Sequence, residues 1–145
     1  MENNTVIVYT DGGSRGNPGE AAVGVVIKNH KSETLKSYGE AIGIATNNVA
    51  EYSAFLLALE TILAEESVNR GETEILFLAD SLLAVKQLSG EFKVKNPNLA
   101  TYVAKIKNAE NLFKKVTYQH IPREQNKLAD SEVNKALDQE LFKQA

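Results

Sequence analysis

The stretch Val6-Ile7-Val8-Tyr9-Thr10-Asp11-Gly12-Gly13 decides the fold. Its apolar, β-branched start makes a strand, and the strand ends on an acid that contributes nothing to a core. A second run of this kind, Ile75-Leu76-Phe77-Leu78-Ala79, ends on Asp80 and is followed by Ser81. Glu51 is the only charge between Val49 and Leu59, in a stretch that reads as a buried helix. Asp130 opens the apolar stripe Val133, Leu137 and Leu141 of the last helix. Strand ends and inward helix faces converge in an α/β domain. Four carboxylates gathered there repel one another, which raises their pKa values by roughly one to several units unless cations intervene. A divalent metal site with hard oxygen ligands resolves that conflict.

Working outward, Thr5–Thr10 is the first expected strand. The glycine-rich 14–19 segment reads as a turn by composition. Strands are expected at 22–28 and 34–44, and short connections make the three an antiparallel meander. Thr46-Asn47-Asn48 is a helix N-cap cluster, and its helix runs to about Glu66. The strand Glu74–Ala79 follows that crossover and is therefore parallel to its neighbour. Asp80 and Ser81 can both cap the next helix, which Ser89-Gly90 ends. After the basic loop 92–97, a third helix runs from Asn98 to about Phe113. The last strand is Lys115–His120, and a fourth helix runs from about Gln125 to Phe142. The order is βββαβααβα, an α/β class fold, and residues 1–145 read as one domain.

With no cysteine in the chain, disulfides, zinc-thiolate sites and thiol catalysis are excluded. No basic and apolar leader precedes the first strand. No apolar run approaches the roughly 18 residues of a membrane span. The expected protein is a cytoplasmic monomer without a membrane partner. Its net charge of −3 argues against strong nucleic-acid binding as a sum. The distribution differs, because Lys86, Lys93, Lys95, Lys105, Lys107, Lys114 and Lys115 gather in one part of the chain. They are either a solvated helix face or a modest phosphate-contacting surface.

Each acid has a plainer reading. Asp11 fits an Asp-Gly turn. Glu51 gains from the helix N-terminus, by roughly 0.3–1 kcal/mol, too little to bury a charge. Asp80 suits an N-cap, a role compatible with metal ligation. Asp130 is also a favourable first-turn acid. His120 closes the last strand, where it could reach a reacting phosphate or serve only the surface. Arg123, on the same turn, is a candidate phosphate contact or a surface arginine. Asn17, Thr46, Asn47 and Asn48 are candidate sugar and phosphate contacts, and each has an alternative turn or cap role.

These residues resemble type 1 ribonuclease H in its compact archaeal and bacterial branch. Tyr9-Thr10-Asp11-Gly12-Gly13 with Gly16-Asn17-Pro18-Gly19 is similar to the family's first signature. Thr46-Asn47-Asn48-Val49-Ala50-Glu51 is similar to the second and Ala79-Asp80-Ser81 to the third. His120 to Asp130, with Asn126 between, is similar to the fourth. The resemblance implies a mixed five-stranded sheet with helices on both faces. It implies a nuclease, an endonuclease that hydrolyses the RNA strand of RNA/DNA hybrids with Mg²⁺ or Mn²⁺, two ions with substrate bound. The products would carry 5′-phosphate and 3′-OH ends. By resemblance, Asp11, Glu51, Asp80 and Asp130 are the metal ligands; without metal, Asp130 is expected to stand somewhat away, because its charge then has less reason to approach. His120 would assist proton transfer or product release, shared with or replaced by Arg123. Asn17, Asn47 and Asn48 would read the minor groove and the 2′-OH, and Thr46 would meet a phosphate. Leu82 stands where some members carry a polar glutamine, and the long basic handle of others is missing. The rival readings are a non-catalytic nucleic-acid- or partner-binding module on the same fold, and a related nuclease of double-stranded RNA.

Overall fold

A computed structural model describes residues 4–144. The strands are β1 (Thr5–Gly16), β2 (Gly19–Asn29), β3 (Thr34–Ala45), β4 (Glu74–Ala79) and β5 (Lys115–His120). The helices are α1 (Asn47–Leu63), α2 (Leu82–Leu88), α3 (Pro97–Glu110) and α4 (Lys127–Gln144). The strands form one mixed sheet in the order β3-β2-β1-β4-β5. β1, β2 and β3 pair antiparallel, and β4 is parallel to both β1 and β5. This is the βββαβααβα order expected from the pattern of runs and caps.

Successive residues of β1 show that helices cover both faces. A Cβ at Gly12 would lie 2.3 Å from the Ala50 carbonyl of α1, while a Cβ at Gly13 would face a Val133 methyl of α4. The larger core lies on the α1 side. There Val8, Val25 and Phe77 of the sheet pack with Tyr52, Phe55 and Leu59 of α1 and with Leu88, Leu99 and Ile106. Phe55, Phe77 and Tyr118 form an aromatic cluster with ring centroids 5.2–5.6 Å apart. The α4 side is thinner, with Ala22, Val133, Ala136 and Leu137. Gly24 and Gly39 admit that helix closely, since a Cβ on either would fall within 2.2 Å of an α4 carbonyl oxygen.

One local expectation is corrected. The turn expected over 14–19 is confined to Asn17-Pro18: β1 continues to Gly16, which pairs with Gly19 of β2. Gly12 is present because α1 passes too close for a side chain. Gly16 takes a positive φ of 96° at the hairpin tip. Asp11 therefore sits within a long hairpin rather than at the end of a strand. Ser81 takes the α2 cap, its Oγ accepting from Ala84 N at 3.2 Å, and this leaves the Asp80 carboxylate for other partners.

Candidate metal and nucleic-acid site

Three elements bring the acids together. β1 supplies Asp11, the first turns of α1 supply Glu51, and the residue after β4 is Asp80. Oxygens of these three carboxylates all lie within 4.8 Å of one another. Asp130, in the first turn of α4, is outside that trio but close enough for its carboxyl to contact Asp11. All four line one open cleft of about 350 Å³, together with Asn47, Arg123 and Asn134.

The electrostatics are those of a site short of positive charge. Burial, and then the charges of Asp80 and Asp130, push the Asp11 carboxyl from an ordinary 3.8 up to about 8. The Gly12 N–H opposes the rise, and the contact with Asp130 adds to it. Burial also raises Glu51, as does Asp80, while a Ser81 hydrogen bond and the Arg123 charge favour its ionised form. Asn126 is 1% exposed. Its Nδ2 donates to the Thr10 carbonyl at 2.8 Å and to Asp80 Oδ2 at 3.3 Å. One amide therefore ties β1, the end of β4 and the start of α4, the elements that carry three of the acids. This oxygen-only donor set, crowded enough to raise a carboxyl pKa, fits a small divalent cation.

The remaining candidates divide. Asn47 Oδ1 accepts from Ser14 N at 2.9 Å, and its own N–H donates to Asn17 Oδ1 at 3.0 Å. Those bonds lock the hairpin tip to the start of α1. Thr46 caps α1, accepting from Val49 N at 3.2 Å. Asn17, Thr46 and Asn48 line a second, neutral cleft of about 250 Å³ with Asn96 and Asn98. The last two escaped the sequence reading, although an asparagine directly before Pro97 is itself a helix-start signal. Asn96 is that N-cap, accepting from Asn98 N at 2.9 Å. Arg123 stands in the carboxylate cleft. His120 is exposed at the end of β5, opposite Ala79, and does not line that cleft.

A model of the reverse transcriptase-like family matches residues 9–136, which span all four acids. The chain belongs to the ribonuclease H family. Over 134 residues, or 92% of its length, this ribonuclease H chain is 40% identical to a bifunctional protein of Mycobacterium tuberculosis. It is 38% identical over 133 residues to ribonuclease HI of Halobacterium salinarum, covering 92% of this chain. It spans 35% of the mycobacterial protein and 64% of the halobacterial one. LC11-RNase H1, isolated from compost and solved in complex with an RNA/DNA hybrid, superposes with a TM-score of 0.88 at 43% identity, covering 94% of this chain and 99% of that one. No helix of the described residues is long and apolar enough to cross a membrane.

Proposed function

We propose that the chain is a metal-dependent endonuclease that hydrolyses the RNA strand of RNA/DNA hybrids. The observation that carries this reading is the trio Asp11, Glu51 and Asp80 within 4.8 Å, with Asp130 beside it. These side chains would hold Mg²⁺ or Mn²⁺, both hard cations that favour carboxylate oxygen. Two such ions, when bound there, would supply an activated water and neutralise charge on the phosphate and the leaving oxygen.

The chain's own residues do the positioning. Asn126 fixes the rotamer of Asp80. A Ser81 hydrogen bond and the Arg123 charge oppose the rise that burial imposes on Glu51 and so favour its ionised, ligating form. Arg123 also provides fixed positive charge in the cleft for a phosphate oxygen. In the neutral cleft, the oxygens of Asn17 and Asn96 are used by backbone N–H groups. Their NH₂ groups remain to donate to sugar and phosphate oxygens, the 2′-OH among them. Hydrolysis would break the P–O3′ bond and leave 5′-phosphate and 3′-OH ends. His120, exposed at the end of β5 and directly before the 121–126 turn, would aid proton transfer or product release in keeping with the family resemblance.

The test is cleavage of end-labelled hybrid, duplex RNA and duplex DNA, each with Mg²⁺, Mn²⁺ or EDTA. The expected result is cut RNA in the hybrid, abolished by EDTA and by Asp11→Asn. Cleavage that persists in EDTA would refute the metal role, and a hybrid left intact with both metals would refute the activity.

A further inference from the structure

Two rows of residues flank the carboxylate cleft. On β1, Asp11, Gly13 and Arg15 alternate onto one sheet face. On α4, Asp130, Asn134 and Asp138 stand at i, i+4 and i+8, on one side of the helix. The rows have nearly the same pitch: four strand residues span roughly 13 Å and eight helical residues roughly 12 Å. At one end Asp11 meets the Asp130 carboxyl. At the other, Arg15 Nη2 donates to Asp138 Oδ1 at 2.7 Å. Between them Gly13 leaves an open floor, where an added Cβ would meet nothing nearer than a Val133 methyl at 3.8 Å.

The two ends carry opposite demands. The Asp11 end has more carboxylates than Arg123 alone can balance, whereas the Arg15 end has a guanidinium held by a carboxylate at the surface. The Arg15 and Asp138 side chains are 45% and 58% exposed, so the bond between them is weak. A phosphodiester offers the guanidinium fork two oxygens. Nucleic acid also releases counterions when its phosphate is neutralised, which a surface carboxylate does not. A strand laid along the cleft with one phosphate at the acids would bring a later phosphate to Arg15.

We propose that Arg15 binds a backbone phosphate of the strand in the carboxylate cleft, and that Asp138 is a competing carboxylate that holds Arg15 until that phosphate displaces it. The proposal rests on the hybrid-cleavage reading and adds to it a phosphate contact away from the metals. Asp138 acts as a positioning residue through Arg15.

The test is a double-mutant cycle. Binding of a labelled RNA/DNA hybrid is followed by fluorescence anisotropy in EDTA over a range of salt, for the parent, Arg15→Ala, Asp138→Asn and the double variant. Arg15→Ala should weaken binding about 5-fold and lower the salt slope by about one. Asp138→Asn should tighten binding about 2- to 3-fold, and this gain should vanish on the Arg15→Ala background. A merely bracing ion pair predicts the reverse for Asp138→Asn, which would then weaken binding as Arg15→Ala does. That outcome overturns the proposal. So does unchanged affinity and slope in Arg15→Ala, and so does an Asp138→Asn gain of equal size in both backgrounds, which is bulk charge. Should Arg15→Ala not fold, Arg15→Lys keeps the charge, loses the fork and takes its place in the cycle. A parent that binds hybrid but does not cut it with Mg²⁺ defeats the catalytic reading and leaves the Arg15 comparison intact. A parent that does not bind hybrid defeats both.

Discussion

The two clefts sit on either side of the start of α1 and are opposite in electrical character. The carboxylate cleft is frustrated: its acids crowd within 4.8 Å, and Asp11 is pushed up to about 8. The asparagine cleft is satisfied: Asn17, Thr46 and Asn96 each accept a backbone N–H that would otherwise lack a partner. The first is therefore unstable as it stands and improves when cations arrive. The second is stable as it stands and holds neutral amides without a carboxylate, so it can recognise a strand but do no metal chemistry. Removing a group from the first should relieve strain and destroy function. Removing a group from the second should cost stability and weaken binding by modest factors.

The largest effect should come from Asp11→Asn. We expect kcat to fall at least about 10³-fold in a Mg²⁺ assay, while the melting temperature of the metal-free protein stays equal or rises. Asp80→Asn should behave alike, because Ser81 keeps the helix cap. Either variant with ordinary turnover would break the comparison.

The frustration should also appear as a pH dependence of stability without metal. The Asp11 pKa is raised on folding, from 3.8 to about 8. The folded state thus holds this proton more tightly than the unfolded chain. Its stabilising effect is complete below about pH 4 and is lost as pH rises to about 8. Urea unfolding in EDTA should show stability falling across that window, over and above any change shared with Asp11→Asn. Equal slopes in parent and variant would contradict the assigned burden on Asp11. Added Mg²⁺ should restore stability at pH 8 by binding the folded state.

Smaller effects should separate Arg123 from His120. Arg123 lines the carboxylate cleft and bears on Glu51. Arg123→Ala should raise KM for hybrid about 10-fold and lower the salt slope by about one. His120→Ala should slow steady-state turnover more than the single-turnover chemical step if it serves product release, and both equally if it moves a proton. Unchanged kinetics in both variants would make this turn structural. The smallest effects belong to the neutral cleft. Asn17→Ala, Asn48→Ala and Asn96→Ala should each raise KM about 5-fold, the worth of one hydrogen bond of about 1 kcal/mol. A fall in kcat instead would mean that these side chains position the carboxylates.

Much of the arrangement was legible because short buried strands announce themselves. Glu74–Ala79 has the bounds its apolar run suggests, and the acid that follows β4 marks the strand's end; Lys115–His120 also has its expected bounds, although none of its residues is buried. The hairpin tip was not legible. The 14–19 segment read as a turn and Asp11-Gly12 as a possible Asp-Gly turn, yet Gly12 serves the close approach of α1, and the strand continues past it to Gly16. Composition cannot tell a glycine that bends the chain from one that makes room for a neighbour. The capping role of Ser81, and with it the freedom of Asp80, needed coordinates, since both residues suit the position. Asn96 was hidden in a loop that reads as basic, and Asn98 stood only as the start of the helix that follows it. The α4 row Asp130, Asn134 and Asp138 was not singled out, because the helix was read for its apolar stripe, and its partner Arg15 lay in the segment read as a turn. The placement of His120 outside the cleft, with Arg123 inside it, depends on the short 3-10 turn at Arg123–Gln125, which carries no strong sequence signal.

The central claim is that the four acids are a charge-deficient cleft completed by divalent cations, and proton release on metal binding tests it most directly. At pH 7 a carboxyl with a pKa of about 8 is largely protonated, and it must lose that proton to ligate. Calorimetric titration with Mn²⁺ at pH 7, in buffers of different ionisation enthalpy, counts the protons released. The account predicts release of roughly one proton per first metal bound in the parent and almost none in Asp11→Asn, whose affinity should also fall. Buffer-independent heats in the parent, or the same metal affinity in Asp11→Asn, would contradict it.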